Sequence, residues 1–126
     1  MKPCILPWIN FGTNTYGKAR VCGYSSETSD VWDFNSKYFK DIRNSFLKNE
    51  WPKNCKRCRH VEELGGTSKR MDENHMWYDK FKHLIGKEVN YYPPHLDVRT
   101  GTICNFKCIH CGPASSSKWM EDYDLI

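Results

Sequence analysis

Branched aliphatic residues are scarce in this chain. Leu, Ile, Val and Phe together supply 24 of its 126 residues, and Ala occurs only as Ala19 and Ala114. No segment approaches the roughly 20 uninterrupted apolar residues that a bilayer span requires. The opening residues carry Pro3 and Pro7 and lack the apolar run and small-residue cleavage site of a secretory leader. Without that route the thiols are expected in reducing cytosol, where metal ligation outranks disulfides. Glycine-rich phosphate loops, a His-Glu-x-x-His helix and a Ser–His–Asp order are all missing. So are internal repeats and low-complexity tracts.

Aromatic residues fill part of the gap, at 14% of the chain. They point to a small core of Trp and Tyr that needs something besides side-chain burial to hold it. Trp8, Trp32, Trp51, Trp77 and Trp119 are expected in that core or as shields of a metal site. The formal charge is +4. Eight Lys and Arg residues against two acids lie between Lys37 and His60. A basic patch of that kind can bind nucleic acid, although a solvated helix face is the commoner reason for one.

The apolar pattern predicts a short edge strand at 5–9 and its hairpin return at 19–22, with turns at Gly12-Thr-Asn14 and Tyr16-Gly17. Phe39, Ile42 or Arg43, and Phe46 step at helical spacing, predicting a helix over 36–48 that Trp51-Pro52 stops. A second helix is expected over 56–64, ending at Gly65-Gly66 in a left-handed cap. A third spans 68–84 and buries Met71, His75 or Met76, Tyr78, Phe81 and Ile85. After an extended linker at 91–94, residues 95–100 alternate as a strand, and Ser115 to Ser117 could cap a last helix.

Seven cysteines are too few for a disulfide scaffold, and odd in number. They sort into three and four. Cys104, Cys108 and Cys111 form C-x3-C-x2-C directly after the expected strand. Three thiolates on one loop can hold three corners of a [4Fe-4S] cube and leave the fourth iron open. Zinc with His110 as fourth ligand, and unligated thiols, are the alternatives. Cys4, Cys22, Cys55 and Cys58 make four, the number that closes a cube or a tetrahedral zinc site. Cys55-Lys-Arg-Cys58 sits where a helix begins, which favours anionic ligands. His60, His75, His83 and His95 are expected at the surface or in packing. Asp97 and Arg99 share one face of the last strand and could point toward a cofactor.

The triplet after a strand resembles the radical S-adenosylmethionine (SAM) superfamily. That resemblance implies that Cys104, Cys108 and Cys111 hold a [4Fe-4S] cluster whose free iron is chelated by SAM. It also implies that an electron from the cluster cleaves SAM to methionine and a 5′-deoxyadenosyl radical. His110 takes the position before the last cysteine, which the family places near adenine. Cys4-x-x-Pro7-Trp8, Gly17 with Cys22, and Cys55-x-x-Cys58 followed by Glu62-Glu63 and Gly65-Gly66 are similar to the auxiliary-cluster modules called SPASM or twitch domains. This implies a second [4Fe-4S] cluster on those four cysteines. The family often has adjacent cysteines where this chain has Val21-Cys22.

The expected architecture is therefore an α+β iron–sulfur module, a β-hairpin plus helices, over residues 1–90. Over 91–126 it continues into the first strand, cluster loop and first helix of an incomplete α/β radical SAM partial barrel. Only about 32 residues follow Pro94, whereas such a barrel takes about six strand–helix units of some 30 residues, so turnover by this chain alone is not expected. Two clusters would lower the net charge from +4 to about +1, which weakens nucleic acid as a partner. A flavodoxin or ferredoxin is the expected electron donor, and a peptide or small molecule the substrate. The competing reading is a non-enzymatic zinc module contacting nucleic acid or protein.

Overall fold

Pro7 decides the first element. Its fixed φ suits the first turn of a helix, and in the computed structural model, which describes residues 1–99, Leu6–Ile9 form a helical turn, α1. The edge strand expected over 5–9 is not formed. All four residues of α1 are buried, and the Trp8 amide finds its acceptor locally, 3.0 Å away on the Ile5 carbonyl. Extended pairing begins one residue later, in β1 (Asn10–Thr13).

β1 pairs antiparallel with the two-residue β2 (Ala19–Arg20), Gly12 opposite Arg20 and Thr13 opposite Ala19. Gly17, at φ 77°, takes the left-handed position in the connecting turn. The hairpin return is shorter than the 19–22 expected, so Cys22 lies in the bend beyond it. On its other side β1 pairs in parallel with β3 (His95–Asp97), in the sheet order β2–β1–β3. Strand pairing thus crosses the boundary expected near residue 90. The chain between β2 and β3 supplies the helices of a right-sized crossover.

α2 (Lys37–Leu47) buries Phe39, Ile42, Arg43 and Phe46, so both alternatives at its second buried step are realised. The Arg43 guanidinium reaches the core because its donors are satisfied there. Nε donates to the Pro7 carbonyl at 2.7 Å, Nη2 to that of Phe34 at 2.7 Å, and the group lies over the Phe34 ring at 4.6 Å. Burial lowers its pKa to about 10. α2 ends before Trp51-Pro52: Asn49 adopts φ 60°, a left-handed turn that Asn tolerates.

A 3-10 turn at Lys53–Cys55 leads into α3 (Lys56–Glu63). α3 closes as expected. Gly65, at φ 80°, donates to the Glu62 carbonyl and Gly66 to that of Val61, a Schellman arrangement. α4 (Lys69–Phe81) is capped by the Ser68 hydroxyl, which accepts from the Met71 amide, and tightens into a 3-10 turn at Lys82–Leu84. Its buried face differs from expectation. Met71 and Met76 are exposed, and Arg70 and Asn74 are the buried residues, with Trp77, Tyr78, Phe81, Leu84 and Ile85 partly covered against the core.

Candidate metal centre

Four cysteines from three separate segments meet at one place. Cys4 precedes α1, Cys22 lies just past β2, Cys55 ends the 3-10 turn and caps α3, and Cys58 lies in the first turn of α3. All four are free thiols, with Cys4 and Cys58 buried and Cys22 and Cys55 half-buried. They line a single cavity of about 20 Å³, room for one water molecule. Leu6, Pro7, Val21, Phe46 and Trp51 supply its apolar walls.

Burial governs their acidity. The Cys4 thiol is pushed well above its usual range by desolvation, partly offset by the Leu6 amide and reinforced by Cys55, Cys22 and Cys58. Cys55 is raised to about 12 by burial, then by its neighbours Cys22 and Cys58, against a lowering influence of Arg70. Burial also raises Cys22, while the Tyr24 amide and Lys69 act the other way. Cys4 and Cys55 therefore sense the thiols beside them. Bringing a cation among them would reverse the penalty that keeps them protonated.

Support for the thiols comes from α4, on residues that the apolar pattern did not single out. Arg70 lines the cavity and is 8% exposed. Its Nε donates to Glu62 Oε2 at 2.9 Å, Nη2 pairs with Glu62 Oε1, and Nη1 donates to the Lys2 carbonyl. Ser68 Oγ donates to the same carboxylate at 2.8 Å. One turn along α4, the Asn74 side chain donates to the Pro3 carbonyl and accepts from the Ile5 amide, both at 2.9 Å. The i, i+4 spacing of Arg70 and Asn74 with Trp77, Tyr78 and Phe81 was the available signal. It was masked by the assumption that a buried helix face is apolar.

The donor set and its surroundings fit an iron–sulfur centre: four thiols, apolar walls, and the cations Lys69 and Arg70 on the lining. As they stand, no three His, Cys, Asp or Glu side chains among the described residues are grouped so as to hold a metal ion. His60, His75, His83 and His95 are exposed, which for His75 departs from the buried position the helix pattern offered it as an alternative to Met76. His95 Nδ1 contacts Asn10 Oδ1 at 2.6 Å. Asp97 ends β3 opposite Gly12, and the Arg99 amide and carbonyl both bond Thr13 Oγ1, at 2.8 and 3.1 Å. Trp8 is in the core, Trp51 is on the cavity wall and Trp77 is packed against the core. Trp32 departs from expectation: it is 56% exposed, with Nε1 donating to the Gly17 carbonyl at 2.8 Å.

Cys104, Cys108, His110, Cys111 and Trp119, and the helix expected after Ser115, lie outside the described residues. No helix among the described residues is long and apolar enough to cross a membrane. Comparison of the chain with family models, curated proteins and solved structures finds no match.

Proposed function

We propose that Cys4, Cys22, Cys55 and Cys58 hold an auxiliary [4Fe-4S] cluster in a cytoplasmic radical SAM-type protein. In this reading Cys104, Cys108 and Cys111 hold a second cluster, with His110 beside the bound SAM. The single observation that carries the first half is the convergence of four free thiols, from three separate segments, on one apolar-walled cavity. The second half rests on the C-x3-C-x2-C spacing and the resemblance it carries. When bound, the three-thiolate cluster supplies the electron that cleaves SAM.

The preference for a polynuclear centre over zinc rests on the resemblance of the Cys4, Cys22 and Cys55-x-x-Cys58 pattern to auxiliary-cluster modules. A tetrahedral zinc with sulfurs at about 2.3 Å needs them roughly 3.8 Å from one another. A four-iron cube places an iron under each thiolate and keeps the sulfurs farther apart. Four thiols lining one cavity are a donor set that either centre can use. Here the chain's own residues shield and orient. Phe46 and Trp51 keep water from the sulfurs, and Lys69 and Arg70 offset anionic charge. A flavodoxin- or ferredoxin-type donor and a peptide or small-molecule substrate complete the reading.

Anaerobic reconstitution with iron and sulfide tests it. Two clusters give a brown protein with about eight irons per chain, falling to about four when Cys104, Cys108 and Cys111 are all replaced by Ala. A colourless protein retaining one or two zinc ions rejects the iron–sulfur reading in favour of a zinc module.

A further inference from the structure

Asn74 makes a contact that helix packing does not require. Its side-chain amide bonds the backbone on both sides of Cys4, accepting from the Ile5 N–H and donating to the Pro3 carbonyl, each at 2.9 Å. The two bonds span one residue, and that residue is a thiol on the cavity. Asn74 is 8% exposed and spends its amide dipole on this segment alone among the described residues. Arg70, one turn earlier, holds the Lys2 carbonyl while its other donors grip Glu62 at the end of α3, the helix that carries Cys55 and Cys58.

We propose that Asn74 and Arg70 are positioning residues that pre-form the Cys4 corner of the four-thiol site, with Asn74 fixing the Cys4 backbone and Arg70 tying its approach to α3. The inference rests on the cluster reading above and adds what this site needs beyond its ligands. Residues 1–4 lie outside helix and strand, so side-chain bonds are what hold the backbone leading into Cys4. An amide side chain can satisfy a donor and an acceptor together, which neither a carboxylate nor an aliphatic residue can do.

The test uses the full chain with Cys104, Cys108 and Cys111 replaced by Ala, so that only the four-thiol site is read. Wild-type, Asn74→Ala and Asn74→Asp sites are reconstituted and titrated anaerobically with ferricyanide. A cube with one loosened corner yields a three-iron cluster: [4Fe-4S]2+ gives [3Fe-4S]+ and Fe2+, and ferricyanide takes the one electron. The three-iron product is counted by electron paramagnetic resonance. Asn74→Ala is expected to form it several-fold more readily than wild type, approaching a Cys4→Ala reference, with iron otherwise loaded. Asn74→Asp keeps the acceptor for Ile5 and loses the donor to Pro3, and is expected to fall between. Asp79→Asn, on the exposed part of the same helix, should match wild type.

Equal three-iron yield from folded Asn74→Ala and wild type overturns the proposal and leaves the cluster reading intact. If Asn74→Ala does not fold, Asn74→Asp carries the same decision. A wild-type site that takes up no iron and sulfide overturns both.

Discussion

The Glu62 carboxylate shows how a single side chain organises the neighbourhood of the thiols. Hydrogen bonding by Arg70 is the main force holding its carboxyl below the usual carboxylate value of 4.5, with Ser68 adding to it and burial opposing. A lowered folded-state pKa stabilises the fold above the unfolded value and loses that contribution as pH falls through the lowered one. Glu62→Gln should therefore flatten the loss of stability below about pH 4.5 in chemical denaturation. An acid limb identical to wild type would contradict the pairing. Glu62→Ala leaves the Arg70 guanidinium, 9% exposed, without its carboxylate and should cost about 3 kcal/mol. At the opposite side of the core, Phe39 is fully buried and lies 5.6 Å from Phe11, 5.3 Å from Phe34 and 5.1 Å from Tyr38 between ring centroids. Phe39→Ala should cost about 3–5 kcal/mol in urea unfolding, and a loss under 1 kcal/mol would show that the aromatic cluster is not the core.

Among the elements, those with local punctuation were legible. α2 announced itself by Phe39, Ile42 and Phe46, and α3 by its Gly65-Gly66 stop. The latter yields a test: Gly65→Ala places a Cβ at φ 80° and should destabilise by about 1 kcal/mol, whereas Lys56→Ala on the exposed side should not. α1 was misread because apolar residues at 5–9 suit a buried strand and a buried helical turn equally, and periodicity cannot separate two such short forms. The face of α4 was misread for another reason. Arg70 and Asn74 are buried because Glu62, Lys2, Pro3 and Ile5 satisfy them, and those partners lie 8 to 71 residues away. Single-helix patterning holds no record of them. The expectation that Cys4 and Cys22 join Cys55 and Cys58 rested on their number, on the hairpin and on the resemblance, and the structure places all four thiols on one cavity.

At the level of the molecule, the shared cavity makes the protonation of its buried thiols a property of the fold. Burial holds Cys4, Cys22 and Cys55 protonated, with neighbouring thiols adding to it, and raises Cys55 to about 12. If these thiols take a metal, as proposed, loading expels protons, so it should strengthen as pH rises from 6.5 to 8.5 and weaken as pH falls. Lightly buffered reconstitution with a pH indicator should register acid release, about one proton for each of these thiols at neutral pH. Loading that is independent of pH would exclude thiolate ligation.

The clasp on Cys4 also has a consequence for how the protein is made. A ribosome delivers Cys4 first and Asn74 seventy residues later, an interval of roughly 4–14 s at ordinary elongation rates. β1 waits longer still for its parallel neighbour β3, whose first residue is His95. For all that time the leading thiol travels unshielded in the nascent chain, open to stray metals and oxidants. In the cluster reading, insertion of an inorganic core waits at least until residue 74 has been synthesised, and a chain interrupted before it would present Cys22, Cys55 and Cys58 with their fourth companion untethered.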